Sequence, residues 1–119
     1  MSRNLQIEVL YFKGCPNHEP AVEQVRRALR AEAIATAVDE IEVRDAAMAQ
    51  EIRFLGSPSV RINGMDVEEA ARGAENFGFG CRTYFEENRR SGLPSIDLIR
   101  RAIANAAPTP RDEGRSSDQ

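Results

Sequence analysis

The chain of 119 residues is 41% hydrophobic and carries a net charge of −3, which fits one domain with one packed core. This charge opposes a nucleic-acid-binding surface, and no apolar run approaches the roughly 18 residues of a membrane span. Because residues 1–5 lack the apolar core of a signal peptide, we expect a cytoplasmic protein. In that reducing compartment, two cysteines are more often reactive or metal-binding than a structural disulfide.

The first third of the chain predicts a strand followed by a helix. Residues 5–12 form the predicted strand, and its end is apolar on both faces, which indicates helices above and below the sheet. The helix is predicted to run to about Ala33, with Val22, Val25 and Leu29 at helical spacing on one side.

The middle of the chain predicts a second strand and a second helix. The strand covers residues 36–43. Asp45 is a good helix N-cap, because its carboxylate can accept a hydrogen bond from a free backbone N–H group of the first turn. We therefore predict a helix over residues 46–55, ended by Gly56.

A hairpin and a final helix complete the predicted elements. Asn63-Gly64 is a strong signal for a two-residue hairpin turn, here between strands at residues 59–62 and 65–67. Ser95 is the predicted N-cap of the last helix. The helix carries isoleucines at helical spacing, namely Ile96, Ile99 and Ile103.

The element order is β-α-β-α-β-β-α, with a long segment, residues 68–94, inserted before the last helix. This order predicts an α/β fold, with a four-stranded mixed sheet flanked by helices. The domain is predicted to span residues 1–107. Polar residues with Pro and Gly make residues 108–119 a predicted disordered tail.

The most informative motif is Gly-Cys-Pro-Asn-His at residues 14–18, directly after the first strand. It places the Cys15 thiol at the mouth of a helix, where unpaired N–H groups and the helix dipole favour a thiolate. The alternative is an inert buried cysteine. His18, the only histidine, would lie on the same helix face if the helix begins at the motif. It could stabilise the thiolate, relay a proton or bind a metal, or it could be a capping or solvent-facing side chain.

Together with Pro58, which opens the third strand, this motif resembles the thioredoxin-like superfamily. It is similar to a small bacterial branch with a Gly-Cys-Pro-Asn-His motif and a Gly-Ser-Pro loop. The resemblance implies a thioredoxin-like topology, with Cys15 as the nucleophile. It implies that Pro58 is a cis-proline, whose preceding residue lies beside the nucleophile and can pair with an incoming chain. His18 stands where the family has its resolving cysteine, so dithiol exchange within the motif is not expected.

The second cysteine, Cys81, lies in the inserted segment. Strand direction predicts that this segment leaves the sheet at the end where Cys15 lies, because the hairpin reverses the chain. We therefore expect the two cysteines to be close enough to bridge, which requires α-carbons within about 7 Å. Neighbouring aromatic residues would cover them, namely Phe77, Phe79 and Tyr84. The alternative is that these aromatics form a separate small core with Phe85, which Cys81 fills. Asp66, Glu68 and Glu69, at the entry to the segment, are interpreted as solvated surface and not as metal ligands.

Three functions follow from these residues. The preferred one is a thiol oxidoreductase, in which Cys15 attacks a disulfide, a peroxide-derived species or a mixed disulfide and Cys81 resolves it. Its partners would be protein or small-molecule thiols and disulfides, with no cofactor, nucleic acid or membrane involved, and the oligomeric state stays open. The second is a mercury, copper or zinc module with Cys15, Cys81 and His18 as ligands. The third is a catalytically silent thioredoxin-fold interaction domain.

Overall fold

The computed structural model describes residues 5–78 and 80–106, which form an α/β fold with one four-stranded sheet and one two-stranded sheet. The predicted tail, residues 108–119, lies outside the described residues. The elements in chain order are β1 (Ile7–Tyr11), α1 (His18–Ala31), β2 (Val38–Glu42), α2 (Ala46–Glu51), β3 (Ser59–Ile62), β4 (Met65–Asp66), a 3₁₀ turn (Glu69–Ala71), β5 (Tyr84–Glu86), β6 (Arg89–Ser91) and α3 (Ile96–Ala106). Of the helices in this described part, none is long and apolar enough to cross a membrane.

The four-stranded sheet is mixed and has the strand order β2-β1-β3-β4. β1 runs parallel to β2 and antiparallel to β3, and β3 is antiparallel to β4. The parallel pair requires a crossover connection, which α1 provides. Val9 in the centre of β1 pairs with Glu40 on one side and Val60 on the other. β1 is therefore a central strand, as the sequence predicts.

Both faces of the sheet are covered by helices. One face packs against α1 and α3 and holds the main core, which includes Ile7, Val9, Val25, Val60 and Ile99. The other face packs against α2 in a smaller core of Leu10, Val43, Ala49 and Phe54. β1 contributes to both cores because successive side chains of a strand point to opposite faces. The predicted burial of this strand on both faces is confirmed.

Helix α2 is shorter than predicted. The Asp45 cap is confirmed, since its Oδ1 accepts a hydrogen bond from the Met48 backbone N–H at 2.8 Å. The helix nevertheless ends at Glu51 and not at Gly56. Arg53 adopts a positive φ of 61°, which turns the chain and brings Phe54 into the core with no exposed surface. Burial of this aromatic side chain stabilises the fold more than a further turn of α2 would.

The hairpin and the last helix form as predicted. Asn63 and Gly64 have φ values of 53° and 83°, as a two-residue hairpin turn with two positive φ angles requires. The Ser95 hydroxyl accepts a hydrogen bond from the Leu98 N–H at 3.0 Å, which caps α3. Ser95 is itself held by the Glu86 carboxylate, at 2.6 Å from its hydroxyl and 3.0 Å from its N–H. This contact ties the start of α3 to β5.

We call residues 68–94 the insert. It contains the 3₁₀ turn and the antiparallel hairpin of β5 and β6. Tyr84 lies in the main core with no exposed surface, whereas Phe85 is 55% exposed. The alternative of a separate aromatic core is therefore wrong, because alternate residues of β5 face opposite sides. Phe79 lies outside the described residues.

Candidate functional site

The Cys15 thiol lies in a turn between β1 and α1. The Cys15 N–H donates to the Phe12 carbonyl at 3.2 Å, and the Cys15 carbonyl accepts from the His18 N–H at 3.2 Å. Gly14 has a positive φ of 89°, a conformation that glycine adopts without strain. The cysteine is a free, half-buried thiol. Because α1 begins at His18, Cys15 precedes the helix, and the condition for the two side chains to share a helix face is not met.

The His18 imidazole is directed to β1 and β2. Its Nε2 lies 2.7 Å from the Glu40 Oε1, and its ring stacks on Tyr11 with centroids 3.6 Å apart and planes within 5°. Only 18% of the side chain is exposed. These contacts fasten the first residue of α1 to the sheet. They favour the structural interpretation of His18 over a direct role at the thiol.

Ser57 and Pro58 connect the Cys15 turn to the rest of the site. The bond between them is cis, as predicted. The Ser57 hydroxyl accepts a hydrogen bond from the Phe12 backbone N–H at 3.2 Å, at the end of β1. The Pro58 carbonyl accepts one from the Tyr84 hydroxyl at 2.6 Å. Both residues are buried, so the loop before β3 is fixed between the end of β1 and the insert.

Cys81 lies alongside Ser57. The two residues form a parallel β-bridge, in which the Ser57 N–H donates to the Gly80 carbonyl at 2.8 Å and the Arg82 N–H donates to the Ser57 carbonyl at 2.9 Å. The Cys81 side chain is exposed and its thiol is free. The insert therefore returns to the end of the sheet at which Cys15 lies, as strand direction predicts. Pairing of the two thiols stays a prediction.

Gly56 allows this close approach. It has a positive φ of 119°, and a Cβ at this position would lie 3.1 Å from both the Cα and the N of Arg82. Such a distance is shorter than ordinary van der Waals contact between carbon atoms. The insert contacts the motif on a second side, because a Cβ at Gly92 would collide with the side-chain amide of Asn17. Glycine at position 56 lets the insert pack directly onto the loop before β3.

A buried ionic cluster holds the backbone next to Cys81. Arg82 is 5% exposed and donates to both carboxylate oxygens of Asp66, at 2.8 and 2.9 Å. It also donates to Glu68 at 3.2 Å and to the Ser59 hydroxyl at 3.1 Å, and its guanidinium lies 4.2 Å from the centre of the Tyr84 ring. A buried charge is tolerated only when it is paired in this way.

The electrostatics of this cluster follow from burial and pairing. Burial opposes the charge of Arg82, but its hydrogen bonds to Asp66 and Glu68 and the attraction of the Asp66 charge raise its pKa above the ordinary value. Burial also raises the pKa of Tyr84 and keeps its hydroxyl neutral as a donor to Pro58.

The ionic cluster is the part of the site that sequence reasoning missed. Asp66, Glu68 and Glu69 were expected on a solvated surface, but Asp66 is 7% exposed and paired with Arg82. A useful signal was present in the sequence. Asp66 and Glu68 alternate at strand spacing, and Arg82 follows Cys81 in a stretch, residues 76–85, that is otherwise rich in glycine and aromatic residues.

The predicted residues are therefore brought together only in part. Ser57 connects the Cys15 turn with Cys81, whereas the His18 ring contacts Glu40 and Tyr11. Within residues 5–78 and 80–106, no group of three or more His, Cys, Asp or Glu side chains is arranged to hold a metal ion. The three-ligand metal site of the second hypothesis is accordingly not assembled in the described structure.

Comparison with known proteins yields no significant match: no family model, no curated protein and no solved structure matches this chain.

Proposed function

We propose that this protein is a thiol oxidoreductase in which Cys15 is the nucleophile and Cys81 the resolving thiol. The observation that carries the proposal is the double attachment of Ser57. Its hydroxyl binds the end of β1, three residues before Cys15, and its backbone binds both neighbours of Cys81. One buried residue thus joins the loops of the only two cysteines of the chain.

We also infer that the architecture is thioredoxin-like. The support is the strand order β2-β1-β3-β4, with a parallel first pair and an antiparallel hairpin. Further support comes from the cis bond before β3 and from the helices on both faces of the sheet. The insert, with its own hairpin, is an addition between the sheet and α3.

The proposed reaction reduces a disulfide by thiol exchange. The Cys15 thiolate attacks one sulfur of the substrate disulfide, the S–S bond breaks, and the other sulfur leaves as a thiolate that takes up a proton. The Cys81 thiolate then attacks the Cys15 sulfur in the mixed disulfide and releases the second substrate thiol. The two electrons come from the cysteine pair, which ends as a Cys15–Cys81 disulfide. An external thiol reductant must regenerate the pair.

The environments of the two thiols suit these separate roles. Cys15 is half-buried in a turn whose hydrogen bonds fix its backbone, so it is presented in one position. Cys81 is exposed, which gives its side chain the rotational freedom to reach a mixed disulfide. Ordinary dithiol exchange within the motif is replaced by exchange between two loops.

The proposal is tested with glutathione disulfide and mass spectrometry of the intact protein. The wild type should form an intramolecular Cys15–Cys81 disulfide in the monomer, identified by peptide mapping. The Cys81→Ser variant should accumulate the mixed disulfide of Cys15 with glutathione, because nothing resolves it. Cys15→Ser is the matched control and should react more slowly than Cys81→Ser.

Three results would contradict the proposal. The first is the formation of intermolecular disulfides without any intramolecular Cys15–Cys81 disulfide. The second is a Cys15 thiol that reacts only after unfolding. The third is equal reactivity of the two single-cysteine variants. A protein in which neither thiol reacts while it is folded would instead support an interaction domain.

A further inference from the structure

A second candidate site lies on the face of the sheet that carries α2. It is a cavity of about 210 Å³ between the end of α2, the hairpin of β3 and β4, and the first half of the insert. We call it the arginine cavity, because Arg53, Arg61 and Arg72 line it together with Phe77. Neither cysteine lines it, so it is separate from the thiol site.

The three arginines bind backbone carbonyls and an aromatic ring. Arg61 donates to the carbonyls of Ile52 and Arg53, each at 2.8 Å, and so caps the end of α2. Arg72 donates from Nε to the Asp66 carbonyl at 2.8 Å. The Arg53 guanidinium lies 4.9 Å from the centre of the Phe77 ring. In the described part of the chain, none of the three forms an ion pair with a carboxylate.

The one acidic residue among those that line the described cavity does not neutralise these charges. Asp66 has both carboxylate oxygens bound to Arg82, at 2.8 and 2.9 Å. Its charge is therefore already matched within the buried ionic cluster. Carbonyl oxygens carry only partial charges, so the cavity keeps an excess of positive charge.

Arg61 is the most buried of the three cations. Burial lowers its pKa, and the charges of Arg82 and Arg53 act in the same direction, while Glu8 and Asp66 oppose them. A cation desolvated in this way gains most from an anion placed beside it.

We propose that the arginine cavity binds a small organic oxyanion, a carboxylate or a phosphate group. Each guanidinium has five N–H donors in a planar fork that matches these anions, and the contacts above use only a few of them. The Phe77 ring and the apolar side chains of Leu55 and Met65 form walls for an apolar part of the ligand. At about 210 Å³ the cavity lies below the roughly 300–1,000 Å³ of drug-sized sites, so the ligand is small.

The test is a titration of the full chain with inorganic phosphate and, separately, with benzoate. The titration is monitored at constant ionic strength by proton–nitrogen correlation NMR of the arginine Nε–Hε groups. We expect saturable shifts of the signals of Arg53 and Arg72. Saturation by phosphate alone assigns a phosphoryl ligand, and saturation by benzoate assigns a carboxylate ligand. The proposal fails if neither anion shifts these signals, or if sodium chloride produces the same shifts.

Matched variants distinguish the cavity from the general charge of the protein. Arg53→Gln should weaken binding by about tenfold, the effect of one lost charge-assisted hydrogen bond. Arg72→Lys keeps the charge but removes the fork, and it should also weaken binding. Arg89→Gln, on exposed β6 and outside the cavity, should bind as the wild type does. Thermal unfolding checks that each variant folds. Equal affinities of the Arg53 and Arg89 variants would overturn the proposal.

Discussion

The loops that carry the two cysteines are positioned by different kinds of interaction. The Cys15 turn is closed mainly by hydrogen bonds between near neighbours in sequence, from the Cys15 N–H to the Phe12 carbonyl and from the His18 N–H to the Cys15 carbonyl, with one distant contact, from the Phe12 N–H to the Ser57 hydroxyl. The Cys81 loop is held by distant residues, namely Ser57 through its backbone and Asp66 through Arg82. The position of a cysteine in a strand-to-helix turn can thus be predicted from a local motif. The position of the second thiol depends on buried contacts with residues that are distant in sequence.

The largest expected effect tests the distant contacts. Arg82→Met leaves the Asp66 carboxylate buried without its partner, which should lower the free energy of unfolding by about 3–5 kcal/mol. Urea unfolding measures the change. Arg89→Met, at an exposed position of β6, is the control and should change stability by no more than about 0.5 kcal/mol. If the two variants are equally stable, the ionic cluster does not hold the insert.

A second variant tests the close approach of the insert to the loop before β3. Gly56→Ala combines backbone strain at a φ of 119° with a Cβ placed 3.1 Å from the backbone of Arg82. We expect the free energy of unfolding to fall by about 2–4 kcal/mol and the Cys15–Cys81 disulfide to form more slowly.

Gly64→Ala separates the two contributions. Gly64 also has a positive φ, of 83°, but a Cβ there would meet nothing within 4 Å. In this control only backbone strain should lower the free energy of unfolding, by about 1–2 kcal/mol, and disulfide formation should keep its wild-type rate. Equal rates for the two variants would show that the approach at Gly56 does not position Cys81.

A third test concerns the hydrogen bond from Tyr84 to Pro58. Burial raises the pKa of Tyr84, so the folded state favours the neutral phenol. Its contribution to stability is complete below about pH 10 and is lost as the pH rises above this value, where the tyrosine of the unfolded chain ionises.

Tyr84→Phe should lower the free energy of unfolding at pH 7 by about 1–2 kcal/mol and should weaken the alkaline decline. The chain has one other tyrosine, and Tyr11→Phe is the matched control that should keep this decline. Urea unfolding from pH 7 to pH 11 provides the comparison. An unchanged alkaline decline in Tyr84→Phe would contradict the assignment.

The smallest expected effect concerns His18, which follows the Cys15 turn at the start of α1. His18→Ala removes the contact with Glu40, whose side chain is 37% exposed, and the stack on Tyr11, so stability should fall by about 1 kcal/mol. Because the ring contacts Glu40 and Tyr11, alkylation of Cys15 by iodoacetamide should keep its wild-type rate. A clear decrease in that rate would show that His18 activates the Cys15 thiol.

Local patterns account for the parts of the structure that agree with the sequence prediction. The Asn63-Gly64 turn and the caps at Asp45 and Ser95 form as predicted, because each depends on residues within a few positions. The end of α2 was predicted wrongly. No pattern near Gly56 indicates that burial of Phe54 ends the helix at Glu51.

By itself the sequence determined the α/β class, the order of the elements outside the insert and the turn that carries Cys15, because hydrophobic periodicity and turn residues act over short distances. The β5–β6 hairpin within the insert was not predicted. The sequence also indicated the cis bond before Pro58, through a resemblance carried by motif residues. Only the tertiary structure decided that Cys81 lies beside Ser57. That position depends on the burial of Arg82 against Asp66, and two buried charges stabilise a loop only when the whole chain has brought them together.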